Sequence, residues 1–160
     1  MKTKRILMLM FASAALLFAS CGKENDIQND FSGEEITLQV FTSMYIDGGG
    51  RFKLSLITNN NNPYFRAEYG KPSQYYEYVY EYDNDISVIG SISSFSDISV
   101  VPANWTKEVS VKEKNGYVCR SIQIKGGYQF YWKLYVKEIV KDAAGNILAV
   151  KCIVSKEWNL

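Results

Sequence analysis

Residues able to do chemistry are few in this chain, and what is missing matters as much as what is present. His is absent from all 160 residues. That removes Ser-His and Cys-His nucleophile pairs and every His-ligated metal site. Carboxylates remain, and Glu77, Glu81, Asp83 and Asp85 fall within nine residues. Glycoside hydrolysis needs two carboxyl groups facing each other across a cleft. On one strand Glu77 and Glu81 share a face but stand about 13 Å apart, beyond either the retaining or the inverting geometry. A solvated strand face accounts for them. The alternating oxygens of Glu81-Tyr-Asp83-Asn-Asp85 begin like a calcium loop, but the Gly that loop needs at its sixth position is missing and the next Gly is Gly90. Gly48-Gly49-Gly50 lacks the Lys and helix of a phosphate loop and reads as a tight turn. No cofactor is expected, and the chain reads as non-enzymatic.

The densest feature is aromatic. Five Tyr occur in eight residues from Tyr75 to Tyr82. In a strand, Tyr76, Tyr78, Tyr80 and Tyr82 project to one face and Glu77, Val79 and Glu81 to the other. Such a row is a speculative ligand site: an aromatic platform for sugar C–H groups, or a protein-contact strip. Tyr filling one side of a sheet with its hydroxyl at the rim is the plain structural alternative.

The elements that must carry these residues read as β. Apolar and polar residues alternate with period two at 36–40, 52–56 and 105–111, with further candidates at 64–69, 75–82, 117–125, 128–141 and 147–158. Asn59 to Asn62 with Pro63 breaks a strand, 86–99 is Ser-rich and reads as irregular, and Lys114-Asn115-Gly116 is a hairpin-type turn. No helical apolar period is evident. These segments predict one all-β domain, an antiparallel sandwich or small barrel of about eight strands, ending in a sequential four-strand meander. Phe130, Trp132, Leu134 and Val136 share a face and are expected in its core, with Trp158 closing one end of the sheet. The meander also bears on Cys119 and Cys152. It places them on opposite sides of one central strand, opposite about residues 134 and 135–136, at least about 9.6 Å apart. A disulfide needs Cα atoms within about 7 Å, so both thiols are expected to be unpaired and mostly buried.

The first 20 residues have a different character. Lys2, Lys4 and Arg5 precede an uncharged run of 15 residues, Ile6 to Ser20. As a helix that run spans roughly 22 Å, short of a roughly 30 Å hydrocarbon core, so it reads as a cleaved secretory signal. Leu17-Phe-Ala-Ser-Cys21-Gly resembles the lipobox of bacterial lipoproteins, which implies cleavage before Cys21 and lipidation of that residue. Residues 21–33 then read as the lipidated Cys and a polar tether, and 34–160 as the folded domain. Lys23-Glu-Asn-Asp26 resembles the surface-export signal of Bacteroidota lipoproteins. Without Lys2, Lys4 and Arg5 the remainder carries 15 positive and 17 negative charges, net −2, which does not suit nucleic acid.

Val101-Pro-Ala-Asn-Trp105-Thr-Lys-Glu-Val109, Gly116-Tyr-Val118, Tyr135-Val136 and Gly145-Asn-Ile-Leu-Ala-Val150-Lys, together with the lipobox, resemble small lipoproteins of unknown function from Bacteroides-like gut bacteria. The resemblance extends over about residues 35 to 155. It implies a cell-envelope location and a β-rich domain, and it supplies no catalytic residues. Together with the export-like Lys23-Glu-Asn-Asp26 it leads to the expectation of an outer-membrane lipoprotein exposed at the cell surface, the alternative being a plain solvated linker facing the periplasm. The expected function is a non-catalytic binding or interaction domain, held to the membrane by its N-terminal lipid and meeting a glycan or envelope protein. The alternative is a glycan-binding accessory lipoprotein that uses the tyrosine-rich strand.

Overall fold

The computed structural model describes residues 31–71 and 80–159. The expected lipidation site Cys21, and Glu77, Tyr76 and Tyr78, lie outside the described residues. Among those described are nine strands: β1 (Glu34–Gln39), β2 (Thr42–Tyr45), β3 (Lys53–Asn59), β4 (Asn62–Glu68), β5 (Tyr82–Ser91), β6 (Glu108–Ser110), β7 (Asn115–Gln123), β8 (Gln129–Lys141) and β9 (Ile147–Val154). They form two antiparallel sheets, ordered β1-β9-β8-β7-β5 and β2-β3-β4-β6. The class is the all-β, sandwich-like one that the alternation predicts.

The two sheets are linked at both corners. At one, β1 runs on into β2: the Val40 N–H donates to Leu148 O in β9 and the next N–H, of Phe41, to Leu56 O in β3. At the other corner, just past the end of β4, Gly70 and Tyr82 of β5 exchange both backbone hydrogen bonds, each at 3.0 Å, and the Asn84 side chain donates to Glu68 O at 2.7 Å. Beyond that point the strand containing β6 fills the gap. Ile86 and Thr106 exchange bonds of 2.9 and 3.1 Å, and the Ala67 N–H donates to Lys107 O. The sandwich is thus laced at its edges like a flattened barrel, which shields the backbone groups an open edge exposes.

Alternation in β3 and β8 builds the core between the sheets. Phe52, Leu54 and Leu56 face Leu134, Val136 and Val150, all fully buried. Each such side chain contributes about 1.5–3 kcal/mol by leaving water. Trp132 joins them, as its position in the alternation predicts. Tyr117 is buried with its polar end satisfied: its hydroxyl donates to Ser110 O and accepts from the Lys112 N–H, both at 3.0 Å.

Asn59 to Pro63 breaks the strand as expected, and does so as a hairpin: β3 ends at Asn59, β4 starts at Asn62, and Asn60 and Asn61 between them hold the left-handed φ values (47° and 57°) that a two-residue turn requires. Asn61 then pins a neighbouring loop, its side chain donating to Gly145 O and accepting from the Ile147 N–H. Segment 86–99 is not irregular throughout, because β5 runs to Ser91. Its polar sequence forms a strand because β7 supplies a nine-pair register and because its acids find cations. The terminal meander has three strands, not four. β6 pairs with β4 in the other sheet, and Lys114, at φ 63°, turns the chain across the sandwich instead of closing a hairpin.

The meander β7-β8-β9 sets the cysteines. Cys119 lies opposite Trp132, two residues from the expected partner, and Cys152 opposite Val136. They stand on opposite sides of β8, free and buried.

Candidate functional site

The described members of the tyrosine row, Tyr80 and Tyr82, do not share one exposed strand face. Tyr82 is a correction: it opens β5, is 7% exposed, and packs its ring at 6.3 Å from Phe130, so it cannot serve as a ligand platform. Its face is the inner one, shared with Asn84 and Ile86, and core burial takes it. Tyr80 precedes the strand and is half exposed.

The acidic residues around it hold the fold together. Glu81 pairs with Lys71 at 3.7 Å, and the Tyr69 hydroxyl and Lys71 keep its carboxyl below the usual range. Asp83 and Asp85 point outward from β5 and share Lys107, at 2.5 and 2.9 Å. Asp85 also binds Arg120 at 2.6 Å. Burial alone would raise the Asp85 carboxyl, but the bonds to Arg120 and Lys107 outweigh it and hold it low. Among the described residues every displaced carboxyl pKa moves down. These groups are fixed anions, whereas a general acid at neutral pH needs a raised carboxyl. No group of three potential metal-ligating His, Cys, Asp or Glu side chains occurs among the described residues.

A different aromatic group lies on the outer face of the five-stranded sheet. Along β8 the residues between the core positions are Tyr131, Lys133 and Tyr135. The Tyr131 ring lies 6.1 Å from Trp105, tilted by 42°, and 6.4 Å from Trp158, at 72°. All three rings are half-buried. Each end of the row rests on a cation: the Arg120 guanidinium lies 4.2 Å from the Trp105 ring, and Lys133 Nζ 4.4 Å from the Trp158 ring. Asp85 braces Arg120 from β5 and is itself paired with Lys107 on the approach to β6, so Trp105 is held by a network and not by its loop alone.

Local backbone chemistry brings these groups together. The C-terminal residues extend β9 beside β8: the Ser155 N–H donates to Lys133 O at 2.9 Å and the Trp158 N–H to Tyr131 O at 2.8 Å. On the other side Ser94 and Asp97 form a capping box on the short 3-10 helix Phe95–Asp97. That helix buries Phe95 edge-on to Phe31, 5.2 Å away, and presents its carbonyl to Lys133 Nζ at 2.8 Å. Burial draws the Lys133 ammonium below the usual lysine range.

Beside Trp158 the row opens into a cleft of about 950 Å³, lined by Ser32–Glu34, Asp47, Arg51, Trp132, Lys133 and 154–158. Arg51 forms part of its wall. It stacks over Phe130 at 4.4 Å and Trp132 at 5.1 Å, and is neutralised by Asp47 at 3.1 Å and Glu157 at 2.7 Å. Asp47 in turn accepts the Arg51 and Phe52 N–H groups, which gives the Gly48-Gly49-Gly50 loop a turn-forming role.

Together, row and cleft offer flat apolar faces, fixed cations and a cavity, the equipment of a binding site. Trp105 and Trp158 lie far apart in the chain, so no local pattern joins them to Tyr131. The available signal was the second face of β8, where Tyr131, Lys133 and Tyr135 alternate with a fully apolar set and so call for a cover. Neither a family model, nor a curated protein, nor a solved structure matches the chain.

Proposed function

We propose that this protein is a lipid-anchored domain of the cell envelope, exposed at the outer surface, that binds a ligand or envelope partner without transforming it. The observation that carries the binding reading is the braced row Trp105–Tyr131–Trp158 beside the cleft. Half-buried rings held by ion pairs and cation–π contacts are preorganised, which lowers the ordering cost of binding. The downward displacement of the acidic groups supports a non-catalytic role. The signal-like N-terminus, the lipobox resemblance at Cys21 and the polar tether support the anchor.

The test uses the full-length protein in detergent micelles, with glycan arrays and crosslinking in intact envelopes. A ligand lost on Tyr131→Ala or Trp105→Ala, with the thermal transition kept, is the expected result. Turnover of a bound ligand, or binding indifferent to both changes, would overturn the reading. For the anchor, incorporation of labelled fatty acid is expected and should vanish on Cys21→Ala.

A second reading, the glycan-binding accessory lipoprotein, uses the tyrosine strip without Tyr82: of its described residues Tyr80 is 49% exposed. Loss of glycan binding on Tyr80→Ala, with Tyr131→Ala silent, would favour it over the Trp105 row.

A further inference from the structure

We propose that the row and cleft take an acidic sugar: a saccharide ring packed on Tyr131 and Trp158, with its carboxylate on Lys133. The inference rests on the binding reading above and names the ligand class for that site.

Three features select this chemistry. The first is shape. Tyr131 is tilted by 42° to Trp105 and meets Trp158 edge to face at 72°, so neighbouring rings of the row are not coplanar. A flat aromatic ligand would match one ring and miss the next, whereas a puckered ring with axial C–H groups meets two inclined faces. The second is the polar rim. Asn104 is exposed beside Trp105, and the Tyr131 hydroxyl, bonded to Gln129 Oε1, lies at the edge of the row. Hydroxyl-rich ligands use such alternating donors and acceptors.

The third feature is charge. Around the site the cations are matched one by one: Arg51 with Asp47 and Glu157, and Arg120 and Lys107 with Asp85 and Asp83. Lys133 differs. Its ammonium donates to the Phe95 carbonyl and rests on the Trp158 ring, and among the described residues no carboxylate pairs with it. An ammonium has three donors, so further hydrogen bonds are open to a ligand anion. Lys156, exposed on the cleft wall, is likewise without an ion pair among the described residues, while Glu34, Asp47 and Glu157 balance Arg51, Lys133 and Lys156 over the cleft as a whole, so the preference for an anion is local to Lys133. A partly desolvated lysine beside an aromatic wall gains from an incoming carboxylate a charge-assisted hydrogen bond stronger than a neutral one.

The experiment is calorimetric titration of the full-length protein in micelles with uronic- and sialic-acid oligosaccharides, each paired with its methyl ester. One acidic ligand is expected to bind at least about tenfold more tightly than its ester, the value of one charge-assisted bond. Lys133→Met, which keeps the apolar stem against Trp158, should bring the acid down to the affinity of the ester and leave the ester unchanged. If that variant fails to fold, the acid–ester pair on the unaltered protein still decides. Equal affinity for acid and ester overturns the proposal. So does an absence of saccharide binding alongside capture of an acidic peptide through Lys133. A neutral saccharide lost on Tyr131→Ala but indifferent to Lys133→Met would overturn the acidic assignment and leave the binding reading intact.

Discussion

The two buried thiols make the stability of this domain sensitive to alkali in a way that can be calculated. Cys119 and Cys152 are fully buried on either side of β8. Burial pushes both thiols far above the ordinary range, and for Cys119 the neighbouring Cys152 adds to it. The folded state therefore keeps both protonated throughout the accessible range, while the unfolded chain releases their protons above about pH 8.5. A folded pKa raised above the unfolded one means that stability is intact below the unfolded value and declines as the pH rises past it. At pH 10 the unfolded state gains about 2 kcal/mol from each thiol, about 4 from both, at 1.4 kcal/mol per unit.

The perturbation is the double variant Cys119→Ala, Cys152→Ala. At pH 7 it should be less stable than the parent by about 2 kcal/mol in total, for two small cavities. Urea unfolding under a phosphine reductant, from pH 7 to 10, should show the parent falling and the variant falling less, so that the curves cross. Tyr82 and Tyr117, whose hydroxyls are also raised by burial, ionise in both proteins and cancel from the difference. Parallel curves would refute the reasoning, because they would mean that the thiols ionise as readily in the folded state as in the unfolded one.

Three further outcomes are expected. Asp85→Asn should cost about 3 kcal/mol in chemical denaturation, since it leaves Arg120 and Lys107 without their shared acid, and it should change Trp105 emission; since the Asp85 carboxyl is held low, its contribution should be present above about pH 4 and be lost as the pH falls further. In the β3–β4 turn, Asn60→Gly should be neutral within about 0.5 kcal/mol in thermal melts, while Asn61→Gly should cost about 1 kcal/mol or more by losing the bonds to Gly145 and Ile147. Phe41 is 75% exposed at φ 61°, so Phe41→Gly should raise stability by a few tenths to about 1 kcal/mol in the same melts, and a fall would show that its ring is held by contacts.

Period-two alternation by itself determined the fold class and much of the core. Phe52, Leu54, Leu56, Trp132, Leu134 and Val136 fall where alternation places them, because a strand's two faces are decided within five residues of local sequence. The free cysteines were legible for the same reason, as short loops made β7, β8 and β9 sequential neighbours. Tertiary structure alone decided which strands crossed between sheets. The three residues of β6 read as part of the meander, yet β4 and β5 splay beyond Gly70 and Tyr82, and that gap draws β6 to the other sheet. Tyr82 reads as one member of an exposed row, but the inner face of β5 buries it, and no local pattern says which face of a two-faced strand meets the core. The candidate site is the extreme case. Trp105, Tyr131 and Trp158 come from a loop, a strand and the C-terminal extension, and they meet because hydrogen bonds lay 155–158 along β8 while Asp85 and Arg120 brace Trp105 from β5 and β7. Local sequence governs the backbone's period, which is a short-range property; a site assembled from distant segments depends on long-range pairing, which only the closed sheets supply.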